Sequence, residues 1–136
     1  MKSPALVAVE AGPDAFAPLF EAARRRGERV GWLELAPPPP LAGALADAAA
    51  AGVLRAVAVG GGRAVTLKPV RGEPVLRDLL REHFLGCAIV LVRGRGGHPR
   101  LAPAGALFRF EAGPGRAREL DADAAVAELL RPRHRA

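Results

Sequence analysis

Residues 7–20 read Val7-Ala8-Val9-Glu10-Ala11-Gly12-Pro13-Asp14-Ala15-Phe16-Ala17-Pro18-Leu19-Phe20. A short apolar run, 5–9, reads as a buried strand. Gly12-Pro13 turns the chain. Phe16, Leu19, Phe20 and Ala23 then recur at helical spacing, and Gly27 is placed to stop that helix. Asp14 stands where a side-chain cap is expected. Arg24, Arg25 and Arg26 fall in the last turn, where cations suit the helix dipole. A strand, a glycine turn and a helix in this order form the frame of a phosphate-binding loop.

The residues that would hold a phosphate are absent from it. Walker-type chemistry needs Gly-x4-Gly-Lys-Ser/Thr: glycine backbone for close approach, a lysine on the phosphates and a hydroxyl on magnesium. Those positions are Glu10, Ala15, Phe16 and Ala17. Gly12 remains, but Pro13 lacks an N–H, and Glu10 and Asp14 place negative charge where an anion would sit. A like-charge contact at 4 Å costs about 1 kcal/mol in water and about 4 kcal/mol at a half-buried site. The helix dipole returns only about 0.3–1 kcal/mol. Repulsion wins, so the stretch argues against tight ATP or GTP binding.

The rest of the chain continues the alternation. Strands are expected at 30–35, 55–59, 64–67, 88–92 and 107–110. Helices are expected at 41–51, with Leu41, Leu45 and Ala48 inward, at 74–85 and at 124–130. Asp121 or Asp123 caps the last of these. The run Ala88-Ile89-Val90-Leu91-Val92 is the most apolar strand, which places it centrally, covered on both faces. Four prolines, 37–40, read as a stiff connector. This pattern gives an α/β fold with a mostly parallel, helix-covered sheet. Ligands in such sheets bind beyond the carboxyl ends of the strands, here 10–14, 34–37 and 93–100.

Composition narrows the function classes. The 136 residues form one domain, 1–131, with a loose basic tail at 132–136. The net charge is +6, but 18 of the 20 basic residues are arginines scattered along the chain, and Asn and Gln are absent. That pattern argues for coding bias and a solvated surface over a nucleic-acid partner. Cys87 stands alone, which excludes an internal disulfide, and it reads as a buried, unreactive thiol. His83, His98 and His134 lack metal-ligand spacing, so no metal or other cofactor is expected. No segment has the length of a signal-peptide core or a membrane span, which points to the cytoplasm.

The order of elements resembles the molybdopterin-guanine dinucleotide biosynthesis protein B (MobB) family. Region 7–27 matches the opening strand, loop and helix without gaps. Leu33-Glu34-Leu35 stands where the family has a strand ending in Ile-Lys-His. Ala49-Ala50-Ala51-Gly52-Val53 is similar to its Ala-Gly-Ala turn. Residues 88–94 and His98-Pro99-Arg100-Leu101 are similar to Leu-Val-Leu-Val-Glu-Gly followed by Pro-Lys-Ile, and 107–110 and 121–130 match the closing strand and helix. The resemblance implies a P-loop NTPase-like, Rossmann-like three-layer fold, a dimer formed through the sheet, and partners among molybdenum-cofactor biosynthesis proteins. The family's GTP chemistry does not carry over, because Phe16, Ala17, Glu34 and Arg93 replace its charged residues.

Three functional readings follow. The first is a non-catalytic MobB-like adaptor or binding domain with a lost GTP site. The second is a protein that binds an anionic pterin or nucleotide on the basic loop, through Arg93, Gly94, Arg95, His98 and Arg100. The third is an enzyme using Glu34, His83 or His98 as acid or base. It lacks a nucleophile arrangement, because Ser3 and Thr66 are the only hydroxyl residues of their types, and no catalytic residue is assigned. Lys68 reads as a surface charge. Glu34 and Glu10 either share a cation or meet Arg93, and the exchange of charges relative to the family favours an ion pair with Arg93.

Overall fold

The computed structural model describes residues 2–35 and 40–136. Most of the proline connector, 37–39, lies outside the described residues. Backbone contacts divide the chain into two compact units, Met1–Ala36 with Glu82–Ala136, and Pro37–Arg81.

The first unit is built on a six-stranded sheet. Its strands are β1 (Ala5–Val9), β2 (Val30–Glu34), β5 (Ile89–Arg93), β6 (Arg100–Ala104), β7 (Leu107–Glu111) and β8 (Ala117–Leu120), in the order β2-β5-β1-β6-β7-β8. β2, β5, β1 and β6 run parallel, and β7 and β8 add antiparallel edges. The architecture is α/β, a mostly parallel sheet flanked by helices. β5 lies between β2 and β1, and Ile89, Val90, Leu91 and Val92 are all buried. Its apolar run thus occupies the central place that such runs require.

Helices α1 (Ala17–Arg25) and α4 (Ala122–Leu129) pack against each other. Their apolar faces meet Val7, Val9, Leu91, Leu101 and Phe110 in one core. Gly27 ends the α1 region at φ 71°, with its N–H on the Arg24 carbonyl and that of Glu28 on the Ala23 carbonyl. Only glycine enters this left-handed stop without cost. Asp121 caps α4 by accepting from the Ala124 N–H at 2.8 Å.

In this unit four expectations change. Asp14 caps nothing: it lies inside a 3-10 turn, Pro13–Phe16, and neither that turn nor α1 has a side-chain cap. Two strands, β6 and β8, were not expected. β6 contains Pro103, which sequence pattern reads as a break. β6 pairs with β1 only at Ala8–Arg100, so at Pro103 that edge carries no partner and a missing N–H is tolerated. β8 has no apolar run to announce it. The segment 132–136 is docked, not loose: Arg135 bridges to Ala5, the Ala136 N–H donates to the Pro4 carbonyl at 2.9 Å, and His134 is buried.

In the second unit, α2 (Gly43–Ala50) precedes an antiparallel hairpin, β3 (Ala56–Gly60) and β4 (Arg63–Leu67). These two strands form a sheet of their own instead of joining the parallel one. A two-residue glycine turn, Gly61-Gly62, favours direct antiparallel pairing. α2 has no fully buried residue: of the expected inward face, Leu45 and Ala48 are half-buried and Leu41, before the helix, is exposed. Helix α3 (Leu76–His83) crosses the division between the units.

Candidate functional site

The strand–turn–helix of residues 7–20 sits at the carboxyl edge of the sheet, and its own side chains occupy it. Phe16 is fully buried. Its ring stacks on Phe108 with centroids 5.9 Å apart and meets Trp32, tilted, at the same separation. The position that carries lysine in a phosphate loop is therefore a core anchor. Phe16 also terminates the 3-10 turn with φ −108° and ψ 10°, which turns the chain into α1 and aims the ring inward.

Two ion pairs close the edge. Arg93, the last residue of β5, is the register partner of Glu34 on β2 and of Val9 on β1. Its Nη1 lies 3.5 Å from Glu34 Oε1. The same oxygen accepts from Trp32 Nε1 at 3.2 Å. Arg93 also stands over the turn: a Cβ placed on Gly12 would lie 3.5 Å from Arg93 Nη1. Glu10 takes Arg100, the first residue of β6, as its partner. Two carboxylates and two guanidiniums thus neutralise one another at the carboxyl edge of the sheet.

The basic loop loses most of its expected ligand set to these contacts. Arg93 and Arg100 are paired. His98 Nε2 lies 3.7 Å from Glu111 Oε1. Gly94 is fixed by backbone geometry, with φ 95° and a hypothetical Cβ only 2.3 Å from the Leu35 carbonyl oxygen. Arg95 alone of the five is exposed and without a carboxylate partner among the described residues. The acid–base candidates are also separate: Glu34 faces Arg93 and Trp32, His83 stands beside Glu82 at 3.8 Å, and His98 faces Glu111. Burial pushes the half-buried Cys87 thiol up, further from the reactive thiolate. Among the described residues, no group of three or more His, Cys, Asp and Glu side chains is placed to hold a metal ion.

A second cluster went unrecognised in the sequence. Glu128, on the buried face of α4, is 4% exposed. Its Oε1 accepts from Arg118 at 2.6 Å and from Arg133 at 2.7 Å, Arg131 Nε forms an ion pair with Oε2 at 2.8 Å, and His134 Nε2 lies 3.8 Å from Oε1. Burial raises the Glu128 carboxyl, but the Arg133 hydrogen bond and the charges of Arg131, Arg133 and Arg118 outweigh it and hold the group below its ordinary value. Burial dominates at His134 and lowers it, so the ring is neutral at pH 7, edge-on to Phe110 at 5.5 Å. One signal was available: Glu128 shares the helical stripe of Ala125 and Leu129, and an acid on an apolar stripe followed by Arg131 and Arg133 asks for cationic cover.

That cluster draws the C-terminal segment across the sheet, opposite the loop at 94–99. A cleft of about 240 Å³ lies between them, floored by Leu6, Ala8 and Val92. Compared with known proteins, the chain matches no family model and no curated sequence. Among the described residues, no helix is long and apolar enough to cross a membrane.

Proposed function

We propose that this chain is a non-catalytic binding or adaptor domain built on a P-loop-like, three-layer α/β frame whose nucleotide site has been closed from within. The observation that carries this reading is the position of Arg93, between Glu34 and the Gly12 turn. A guanidinium there takes the place of substrate charge, and the buried Phe16 removes the lysine position from solvent. The layout shared with the MobB family supports molybdenum-cofactor handling as the setting, with the proteins of that pathway as partners.

Calorimetry with GTP and ATP in the presence of magnesium tests the closed site. The expected result is no magnesium-dependent binding and no phosphate release above background. Micromolar, magnesium-dependent binding that survives Arg95→Ala would overturn the reading. The pathway is tested separately in a strain lacking the chain. Loss of molybdoenzyme activity supports the setting, and unchanged activity counts against it.

A further inference from the structure

We propose that the cleft between the 94–99 loop and the C-terminal segment binds a small phosphate monoester, gripped by Arg95 from one wall and Arg135 from the other. The proposal is independent of the closed nucleotide turn, which lies elsewhere on the sheet edge.

Charge is the first argument. The side chains lining the cleft are apolar, glycine or basic, with Arg95, His98, Arg133 and Arg135 outnumbering the one anionic group on the wall, the α-carboxylate of Ala136. The neighbouring arginines are committed: Arg93 to Glu34, Arg100 to Glu10 and Arg133 to Glu128. Arg95 and Arg135 are exposed and have no carboxylate partner among the described residues. Nor does Glu128 cancel the field of the wall behind Arg135, because one carboxylate faces the three cations Arg118, Arg131 and Arg133.

Pre-organisation is the second. Both walls are tied to β1 through the backbone. The Ala8 N–H donates to the Pro99 carbonyl at 2.9 Å, Arg135 bridges to Ala5, and Ala136 bonds to Pro4. The backbone of both walls is therefore tied to the sheet near Arg95 and Arg135, which lowers the backbone part of the ordering cost of association.

Gly96 supplies the third. It has no left-handed φ, and a Cβ added there would meet no atom within 4 Å. Neither strain nor crowding inside the protein explains a glycine at this point on the wall. The open space there leaves the backbone of the wall accessible, and a glycine N–H can approach an anion that a side chain would hold off.

Size and floor choose the ligand class. Liquid water takes about 30 Å³ per molecule, so 240 Å³ corresponds to about eight waters. A phosphate group leaves space over, and the remaining floor is apolar. Opposed arginine forks suit the several oxygens of a phosphate dianion, whereas a carboxylate is satisfied by one fork. The fit is a phosphate monoester with a compact, flat body.

Phenyl phosphate, inorganic phosphate and benzoate titrated calorimetrically into the full chain separate the sources of affinity. Phenyl phosphate should bind at least tenfold more tightly than inorganic phosphate, and benzoate more weakly than either. Arg95→Ala and Arg135→Ala should each weaken phenyl phosphate tenfold or more. Gly96→Leu should weaken it with an unchanged melting temperature, and Arg116→Ala, an exposed arginine outside the cleft, should leave it unchanged. Binding that ignores Arg95→Ala and Arg135→Ala, or is equal for all three probes, would overturn the proposal. So would Arg116→Ala weakening it as much as the cleft variants. Any binding lost on Arg95→Ala but independent of magnesium belongs to this cleft and leaves the closed nucleotide turn intact.

Discussion

Arg93 and Glu34 are register partners on neighbouring parallel strands, and their side chains meet at 3.5 Å at the carboxyl edge of the sheet. Both are partly exposed, 40% and 44%, so the pair adds little to stability, about 0–1 kcal/mol. Its consequence is positional, because it keeps the guanidinium over the Gly12 turn. Arg93→Ala is expected to shift the urea midpoint only slightly. Arg93→Glu should cost more, since it sets like charges on directly opposed strand residues. Adding Glu34→Arg to Arg93→Glu should recover most of that loss, and the double-mutant cycle measures the coupling.

On the proposed reading, Phe16 prevents a phosphate loop from being built here by local substitution. Phe16→Lys with Ala17→Thr returns the two missing side chains, but position 16 lies fully buried between Phe108 and Trp32. Removing a buried aromatic ring costs about 3–5 kcal/mol, and burying an ammonium adds to it. The expected outcome is a destabilised protein with no gain in GTP affinity, read by thermal melting and calorimetry on the same sample.

Much of this was legible from residue spacing. The β1–turn–α1 stretch, the central place of β5 and the Gly27 stop follow from apolar runs and from one glycine. The approach of Arg93 to Glu34 followed from strand-end charges once a parallel sheet was assumed. The remainder depends on contacts distant in sequence. Pro103 disguised β6, because a proline is tolerated only where an edge is unpaired, and pairing is set by the neighbour. The docked tail depends on Glu128, whose burial shows only in its place on the apolar stripe of α4 and in the arginines that follow it. The basic loop looked like a site of five residues because sequence does not show that Glu10 reaches Arg100 and Glu111 reaches His98.

Gly94 now has a structural account. With φ 95° and a would-be Cβ 2.3 Å from the Leu35 carbonyl oxygen, Gly94→Ala must strain the backbone and push the β2 end away. Strain of this kind costs about 1–3 kcal/mol before the clash is counted. A lowered melting temperature is expected, with hydrogen exchange accelerated at the Leu35 N–H, which donates to the Arg93 carbonyl at 2.9 Å.

Glu128 and His134 make the C-terminal segment sensitive to acid, and the signs agree. His134 is held below its ordinary value of 6.5, so the unfolded chain takes up that proton first. Its contribution is complete above pH 6.5 and declines as pH falls below it. Glu128 is held below 4.5, so its contribution is present above pH 4.5 and is lost as pH falls through the folded value. Stability should fall in two stages on acidification. Glu128→Gln should remove the lower stage and cost on the order of 1–3 kcal/mol at pH 7, the penalty for a buried polar partner lost. Melting temperatures across pH 3–8 for the wild-type and variant chains check both.

The closed turn is tested most directly at the amides of Ala11, Gly12 and Asp14. In a two-dimensional NMR titration with magnesium and GTP, these signals should stay in place at millimolar nucleotide, even if signals of the 94–99 loop move. Saturable shifts at Ala11, Gly12 and Asp14 with micromolar affinity would contradict the account, because they would place a nucleotide at the turn over which Arg93 pairs with Glu34.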